Sequence, residues 1–223
     1  MNVLTDDEYN LLLLNHAPYH KDVKVVRQGL PIVQQLDFEQ FCGIPYLKHI
    51  GFKSRPLLDL VIAQCPWTFR FGYHVIHEDY HFYRDQIWKG TVADITIAWI
   101  GSGLGYGIYA NQNFEKDTFI GTYTGVVRHL DRSRPDHNVY CLHYPTRYWS
   151  YEMFIIDAEL AGNEMRFANH SKSPNMNLEC LCYKGLLFFF LRANQPICKG
   201  SELTFDYGEA FWRERVQLQV CEA

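Results

Sequence analysis

Apolar and polar positions follow different textures on either side of Gly90. Before it, Thr5-Asp6-Asp7-Glu8 has the form of a capping box ahead of a leucine run and predicts a short helix that Pro18 should end. Its leucines are core candidates. Residues 20–70 mix short apolar runs with breaks at Gly29-Leu30-Pro31, Gly43-Ile44-Pro45 and Arg55-Pro56, which predicts short elements and a helix near 56–64. The stretch GYHVIHEDYHFYRDQIW, residues 73–89, has helical character, with His74, His77 and His81 on one face. After Gly90 the pattern turns to short β-rich runs at 91–100, 117–128, 138–144, 152–157, 177–182 and 185–193, separated by turn signals. The expected architecture is therefore mainly β, α+β overall: an antiparallel domain at 91–212, a helix-containing segment at 1–90 packed on it, and a short tail at 213–223.

Composition narrows the class of protein. With 223 residues, 48% hydrophobic and 16% aromatic, the chain can bury a sizeable core and should fold throughout. A net charge of −4 and a pI near 6.2 leave no basic footprint for nucleic-acid phosphates, so no direct nucleic-acid partner is expected. A basic peptide suits this surface better. The seven cysteines are scattered and odd in number, which does not resemble a disulfide framework and points to a reducing compartment. Cys180-Leu181-Cys182 has one intervening residue where structural zinc pairs have about two to four. Three imidazoles on one helix face could bind zinc, but no carboxylate or cysteine completes a set, and a packing boundary is the preferred reading of His74, His77 and His81. The N-terminus lacks a basic region and an adequate apolar stretch for a Sec signal, and no run approaches the ~18 residues of a membrane span, so cytoplasmic placement is expected. Oligomeric state is not legible.

The glycines of GSGLGYGIYA, at 101, 103, 105 and 107, do not make a dinucleotide fingerprint. G-x-G-x-x-G would need glycine where Tyr106 or Ile108 stands, and the sequence that follows is strand and turn rather than helix. The spacing suits a hairpin whose backbone comes close to a ligand.

Three further segments follow that turn: IDAELAGN at 156–163, RFANHSKSPN at 166–175 and SELTFDYGEAFW at 201–212. Taken in order, Gly-Tyr-Gly, Tyr-x-Gly, Asp-Ala with Gly-Asn, Arg-Phe-x-Asn-His-Ser with Pro-Asn, and Glu-Leu-Thr-Phe-Asp-Tyr resemble the SET protein-lysine methyltransferases. The resemblance covers roughly 94–212. Within that family, WIGSGLGYGIYA, NVYCLHYPTRYW and the short tail look most like the small bacterial SET proteins of the chlamydial type. The resemblance implies a knotted β fold in which the Asn-His and Asp-Tyr segments come together, an architecture that periodicity alone does not reach.

It also implies a reaction, the transfer of a methyl group from S-adenosyl-L-methionine to a lysine amine that enters a narrow channel. Displacement needs that amine neutral, whereas a free lysine near pKa ~10.4 is almost wholly protonated at neutral pH. A desolvating aromatic channel is therefore part of the requirement. Tyr207 matches the family's catalytic tyrosine, and Tyr123 a second tyrosine lining the channel. The backbone of Leu104, Gly105 and Tyr106 is expected to meet the cofactor's methionine portion, with Tyr106 standing where many relatives carry tryptophan. Asn169 and His170 match cofactor residues, and Tyr140 and Phe211 match positions that help enclose it. Phe205 falls where the family tunes how many methyl groups are added, and phenylalanine there implies di- or trimethylation. Trp212 is a candidate for closing the channel.

Many eukaryotic relatives close that channel with a zinc module, one ligand of which is a cysteine just after Asn-His-Ser. Lys172 stands there, and a single cysteine follows Trp212, so no metal is expected. The implied substrate is a basic protein such as a histone or a bacterial chromatin protein. The bacterial likeness adds secretion to a host cell nucleus as an expectation. Two alternatives remain: a catalytically silent SET-fold module that binds peptide or cofactor, and an unrelated aromatic-rich β interaction module with a histidine-bound metal.

Overall fold

The computed structural model describes residues 4–14, 19–66, 80–131, 138–147, 151, 153–209 and 211–212. Helix α1 (Asp6–Leu12) has the predicted capping box, in which the Glu8 N–H donates to Thr5 Oγ1 and the Glu8 carboxylate accepts from the Thr5 N–H at 2.7 Å. The helix stops at Leu12, well before Pro18, which lies outside the described residues. Glu8 accepts as well from the Tyr183 hydroxyl at 3.0 Å and from Lys184 Nζ at 2.7 Å. One carboxylate thus caps the first helix and ties it to a turn late in the chain.

Strands β1 (Asp22–Arg27) and β2 (Leu30–Asp37) form an antiparallel hairpin that the reading of 20–70 as short elements does not contain. Pro31 concealed it, because proline argues against a strand interior. β2 is an edge strand, where a missing N–H costs no ladder bond. There follow α2 (Phe38–Cys42), β3 (Gly51–Phe52), α3 (Arg55–Ala63), close to the predicted 56–64, and α4 (Tyr80–Lys89). His74 and His77 lie outside the described residues, as does the His81 side chain.

The remainder is strand-rich: β4 (Ile95–Gly101), β5 (Gly105–Ala110), β6 (Phe119–Thr122), β7 (Val126–His129), β8 (Cys141–Tyr144), β9 (Phe154–Asp157), a 3-10 turn at Glu164–Phe167, β10 (Asn169–His170), β11 (Met176–Tyr183), β12 (Leu186–Ala193) and β13 (Thr204–Phe205). They assemble as sheets of order β2-β1-β4-β5, β11-β12-β6 and β3-β7-β9-β8, with a small pair β10-β13. The mainly β expectation holds, and the segment before Gly90 contributes strands to two of these sheets.

β12, LLFFFLRA, is nearly all buried because both of its faces are covered. On one face Phe188 and Phe190 meet Trp88 and Tyr83 of α4, with ring centroids 5.5 and 5.0 Å apart. On the other, Phe189 meets Tyr144, whose hydroxyl accepts the Leu187 N–H at 2.8 Å. The strand period of two therefore distributes three adjacent phenylalanines between two layers. Each such burial contributes about 1.5–3 kcal/mol before entropy, and the resulting core is one contiguous cluster. Among the described residues no helix is long and apolar enough to cross a membrane.

Candidate active site

The pairing of β10 with β13 organises the site. Asn169 sits opposite Thr204 and His170 opposite Phe205, in parallel, and the Ser171 N–H donates to the Phe205 carbonyl at 3.1 Å. Two segments about 35 residues apart are thereby held side by side. Asn175 reinforces the junction, donating to the Glu202 carbonyl at 2.8 Å and accepting from the Thr204 N–H at 2.9 Å. The Tyr207 N–H donates to His170 Nδ1 at 3.3 Å. The same Nδ1 lies 3.4 Å from Asp206 Oδ1, so it faces both a backbone donor and a carboxylate.

Against this junction lies the β4–β5 hairpin. Gly105 has φ +73, and a Cβ on Gly101, Gly103 or Gly105 would meet nothing within 4 Å. Open space therefore flanks the hairpin tip, where Leu104 is 66% exposed. Gly107 is the opposite case. A Cβ there would meet Ile100 Cδ1 at 2.5 Å, Glu202 Oε1 at 2.9 Å and Asn169 Nδ2 at 3.0 Å. The missing side chain leaves room for the Asn169 amide, which donates to the Tyr106 carbonyl at 3.3 Å and to Glu202 Oε1 at 3.0 Å. The Tyr106 ring packs among Phe41, Trp99 and Phe167.

A second group surrounds a cavity of about 40 Å³ whose walls include Tyr123, Phe205, Tyr207 and Phe211. Tyr123 reaches it because the run 117–128 is not one strand. β6 and β7 belong to different sheets, and Tyr123-Thr124-Gly125 is the crossover between them. A Cβ on Gly125 would come within 2.6 Å of the Asp157 carbonyl, so only glycine allows the chain to turn there. The Tyr123 hydroxyl donates to the Tyr140 carbonyl at 2.9 Å, and the Tyr207 hydroxyl to the Ala168 carbonyl at 2.9 Å. Burial pushes the Tyr123 phenol well above the ordinary tyrosine range, so it stays protonated and acts as a donor rather than a base. Phe205 is 6% exposed and its ring centroid lies 4.9 Å from that of Tyr207.

Phe211 meets the Tyr207 ring edge-on at 4.6 Å, and Trp212 stacks beyond it at 6.3 Å while touching His170 at 4.9 Å. Phe211 lines the cavity; Trp212, 44% exposed, covers its neighbours instead. Tyr140 is not among the residues that line the cavity. It lies beneath the Arg166 guanidinium, 3.9 Å from its centroid, and its position is set by Asn138 Oδ1, which accepts the Tyr140 N–H at 2.8 Å. Asn138 is in turn held by buried Asp157, which also accepts from Arg128 Nε at 2.6 Å and the Glu159 N–H at 2.9 Å.

Sequence reasoning did not single out Arg166, the Ala168 carbonyl, Cys141 or Glu202. Arg166 lies in a quoted motif, yet nothing in its type says that it lines the cavity. A backbone carbonyl carries no sequence signal at all. Among the described residues no group of three or more His, Cys, Asp or Glu side chains is arranged to hold a metal.

A glycine-rich hairpin is packed on an Asn-His segment, which parallel pairing joins to an aromatic Phe-Asp-Tyr segment. The family model of the SET domain matches residues 105–208. Similar proteins are the H3 lysine-36 specific histone-lysine N-methyltransferases of Saccharomyces cerevisiae, 33% identical over 53% of this chain and 16% of that protein, and of Kluyveromyces lactis, 33% identical over 60% and 19%. The mouse histone-lysine N-methyltransferase EHMT1 is 29% identical over 53% of this chain and 9% of its own length. The chain thus spans less than a fifth of these relatives. A solved complex of KRYPTONITE with mCHH DNA, an H3(1-15) peptide and SAH is 28% identical over 52% of this chain and 23% of that one, with a TM-score of 0.44.

Proposed function

We propose that the protein is an S-adenosyl-L-methionine-dependent protein-lysine N-methyltransferase acting on a basic protein tail, with histone as the first candidate. The observation that carries this reading is the cavity of about 40 Å³ walled by Tyr123, Phe205 and Tyr207, set beside the hairpin that Asn169 braces. A volume of that order suits the end of a lysine side chain and little more. Relatives named for H3 lysine-36 methylation support the substrate class.

The residues present fit the cofactor. Open space at the tip around Gly103 and Gly105 permits close approach to the backbone, and the Asn169 amide, the Tyr106 carbonyl and His170 supply polar partners. When bound, S-adenosyl-L-methionine supplies an electrophilic methyl group on a sulfonium. The chain's own residues do the rest. Tyr207, fixed by the Ala168 carbonyl, orients the amine with its hydroxyl oxygen. Tyr123 and Phe205 exclude water from the cavity, which favours the neutral amine over the ammonium. The Arg166 guanidinium, held by its bond to the Ala158 carbonyl at 2.9 Å, adds a fixed positive charge to the wall and opposes the ammonium form further. Phe205 leaves no hydroxyl to trap a water beside the amine, which supports di- or trimethylation.

The likeness of WIGSGLGYGIYA and NVYCLHYPTRYW to small bacterial SET proteins supports the finer reading of an effector. Such a protein is made in the producing cell's cytoplasm and delivered to a host nucleus, and fractionation of infected cells tests that placement. The activity is tested by incubating the protein with labelled S-adenosyl-L-methionine and either core histones or bacterial lysate. Tyr207→Phe should retain cofactor binding and lose transfer by about 10²–10⁴-fold. Cofactor binding with no transfer to any protein would favour the silent module.

A further inference from the structure

A second cavity, of about 210 Å³, lies away from the site just described. It lies beside two parallel strands: β1 and β4 pair at Val25–Ile97 and Val26–Ala98, and residues 21–24 and 92–95, which precede those pairs, line it. Val23, Ile95 and Ile97 give it apolar walls, and all three are buried. At its lining stands Glu164, 3% exposed, whose Oε2 has no hydrogen-bond partner.

That oxygen is the unusual feature. Buried acceptors are normally satisfied, and leaving one unpaired costs about 1–3 kcal/mol, more if it is charged. Burial raises the Glu164 pKa, while Lys21 and the Tyr46 hydroxyl act in the opposite direction. The mouth carries Lys21, Asp22, Lys24 and Asp94, and Lys24 is already paired with Asp94 at 2.6 Å. Two lysines and two aspartates at the mouth balance in charge, and the Glu164 carboxyl is the one buried acid of the lining. Water could fill the space, since it holds about seven molecules at ~30 Å³ each. Three buried apolar side chains under a charged mouth, with one unpaired buried carboxyl oxygen beside them, fit a small organic molecule with a polar head.

We propose that this cavity is a binding site for a small organic cation, a primary amine or guanidinium on a short apolar stem, whose head donates to Glu164 while its stem lies against Val23, Ile95 and Ile97. A cation satisfies the free oxygen and also compensates the carboxylate, which water does not. The site is independent of the methyl-transfer reading and uses none of its residues.

The test titrates the full-length protein with n-propylammonium chloride and follows amide shifts by heteronuclear NMR, with propanol and acetate as neutral and anionic controls. Saturable shifts at Val23, Ile95 and Glu164 are expected from the amine and not from the controls. Glu164→Gln should weaken binding at least tenfold, and Val23→Phe, which fills the cavity without touching the carboxyl, should abolish it. Tyr207→Phe should leave the binding unchanged. Absence of saturation, equal affinity in Glu164→Gln, or shifts that map instead to Tyr123, Phe205 and Tyr207 would each overturn the proposal. The last outcome would assign amine recognition to the channel alone.

Discussion

Gly107→Ala tests whether the Asn169 brace prepares the cofactor site. Gly107 lies in β5 with ordinary backbone angles, so alanine is conformationally acceptable. Its Cβ would meet Ile100 Cδ1 at 2.5 Å, Glu202 Oε1 at 2.9 Å and Asn169 Nδ2 at 3.0 Å. All three atoms end flexible side chains, so they move and the strand stays. The Asn169 amide then gives up one or both of its bonds, to the Tyr106 carbonyl and to Glu202. At about 0.5–1.5 kcal/mol for a neutral partner and 1.5–3 for a charged one, the loss of positioning is about 1–3 kcal/mol. Affinity for S-adenosyl-L-methionine should fall roughly 5- to 150-fold in calorimetric titration. Stability should change by only about 1 kcal/mol, since the entropy gained on replacing glycine offsets the crowding. The decisive measurement is the double mutant with Asn169→Ala. If Gly107→Ala acts only through the amide, the pair binds no more weakly than Asn169→Ala alone. Fully additive losses would refute the argument, because the alanine methyl would then be acting on the ligand or the fold directly.

Phe205→Tyr should shift mass-spectrometric product profiles toward monomethyl lysine, and an unchanged distribution would count against the role given to that position. Arg166→Met should move the alkaline-dependent limb of the rate–pH profile up by about one unit, because a unit charge ~8 Å away at an effective dielectric of ~30 contributes about 1.4 kcal/mol. Arg166→Lys should restore most of it, whereas an equal loss of rate at every pH would mean that Arg166 only supports Tyr140. His49 is buried against Trp88, neither ring nitrogen has a hydrogen-bond partner, and burial lowers its pKa from 6.5 to about 4. The unfolded chain therefore takes up a proton as pH falls through about 6.5 while the folded chain does not, so stability present above that pH declines toward pH 4 by up to about 3 kcal/mol. In His49→Phe this part of the acid dependence should vanish from chemical-denaturation curves, and its persistence would place the proton uptake elsewhere.

How much of this was legible in the sequence depends on whether a residue's role is set by its neighbours in the chain or across it. The capping box at Thr5–Glu8 is a local pattern, and it appears as read. The hairpin at 95–110 followed from glycine spacing, which reports backbone freedom directly. The β1–β2 hairpin was hidden because Pro31 reads as a breaker unless its strand is known to be an edge, and edge position is a fact of topology. Tyr123 was named by motif, but the reason it reaches the cavity is the switch of sheets at Gly125, forced by the Asp157 carbonyl from another strand.

The cavity wall shows the same division more sharply. Tyr207 and Phe205 can be marked from a motif, and both side chains stand in the cavity wall. The wall's geometry, however, is also set by groups with little sequence signal: the Ala168 carbonyl that receives the Tyr207 hydroxyl, the Tyr140 carbonyl that receives Tyr123, and Asn138, which accepts the Tyr140 N–H and donates to Asp157. Asp157 gathers Arg128, Asn138 and the Glu159 N–H, three donors from separate places in the chain, and is 2% exposed. A buried carboxylate with three donors is satisfied and rigid, whereas one with two would strain or recruit water. The geometry of the cavity wall therefore rests on a polar network centred on Asp157 of the Asp-Ala motif, and substitutions there should change geometry before they change chemistry.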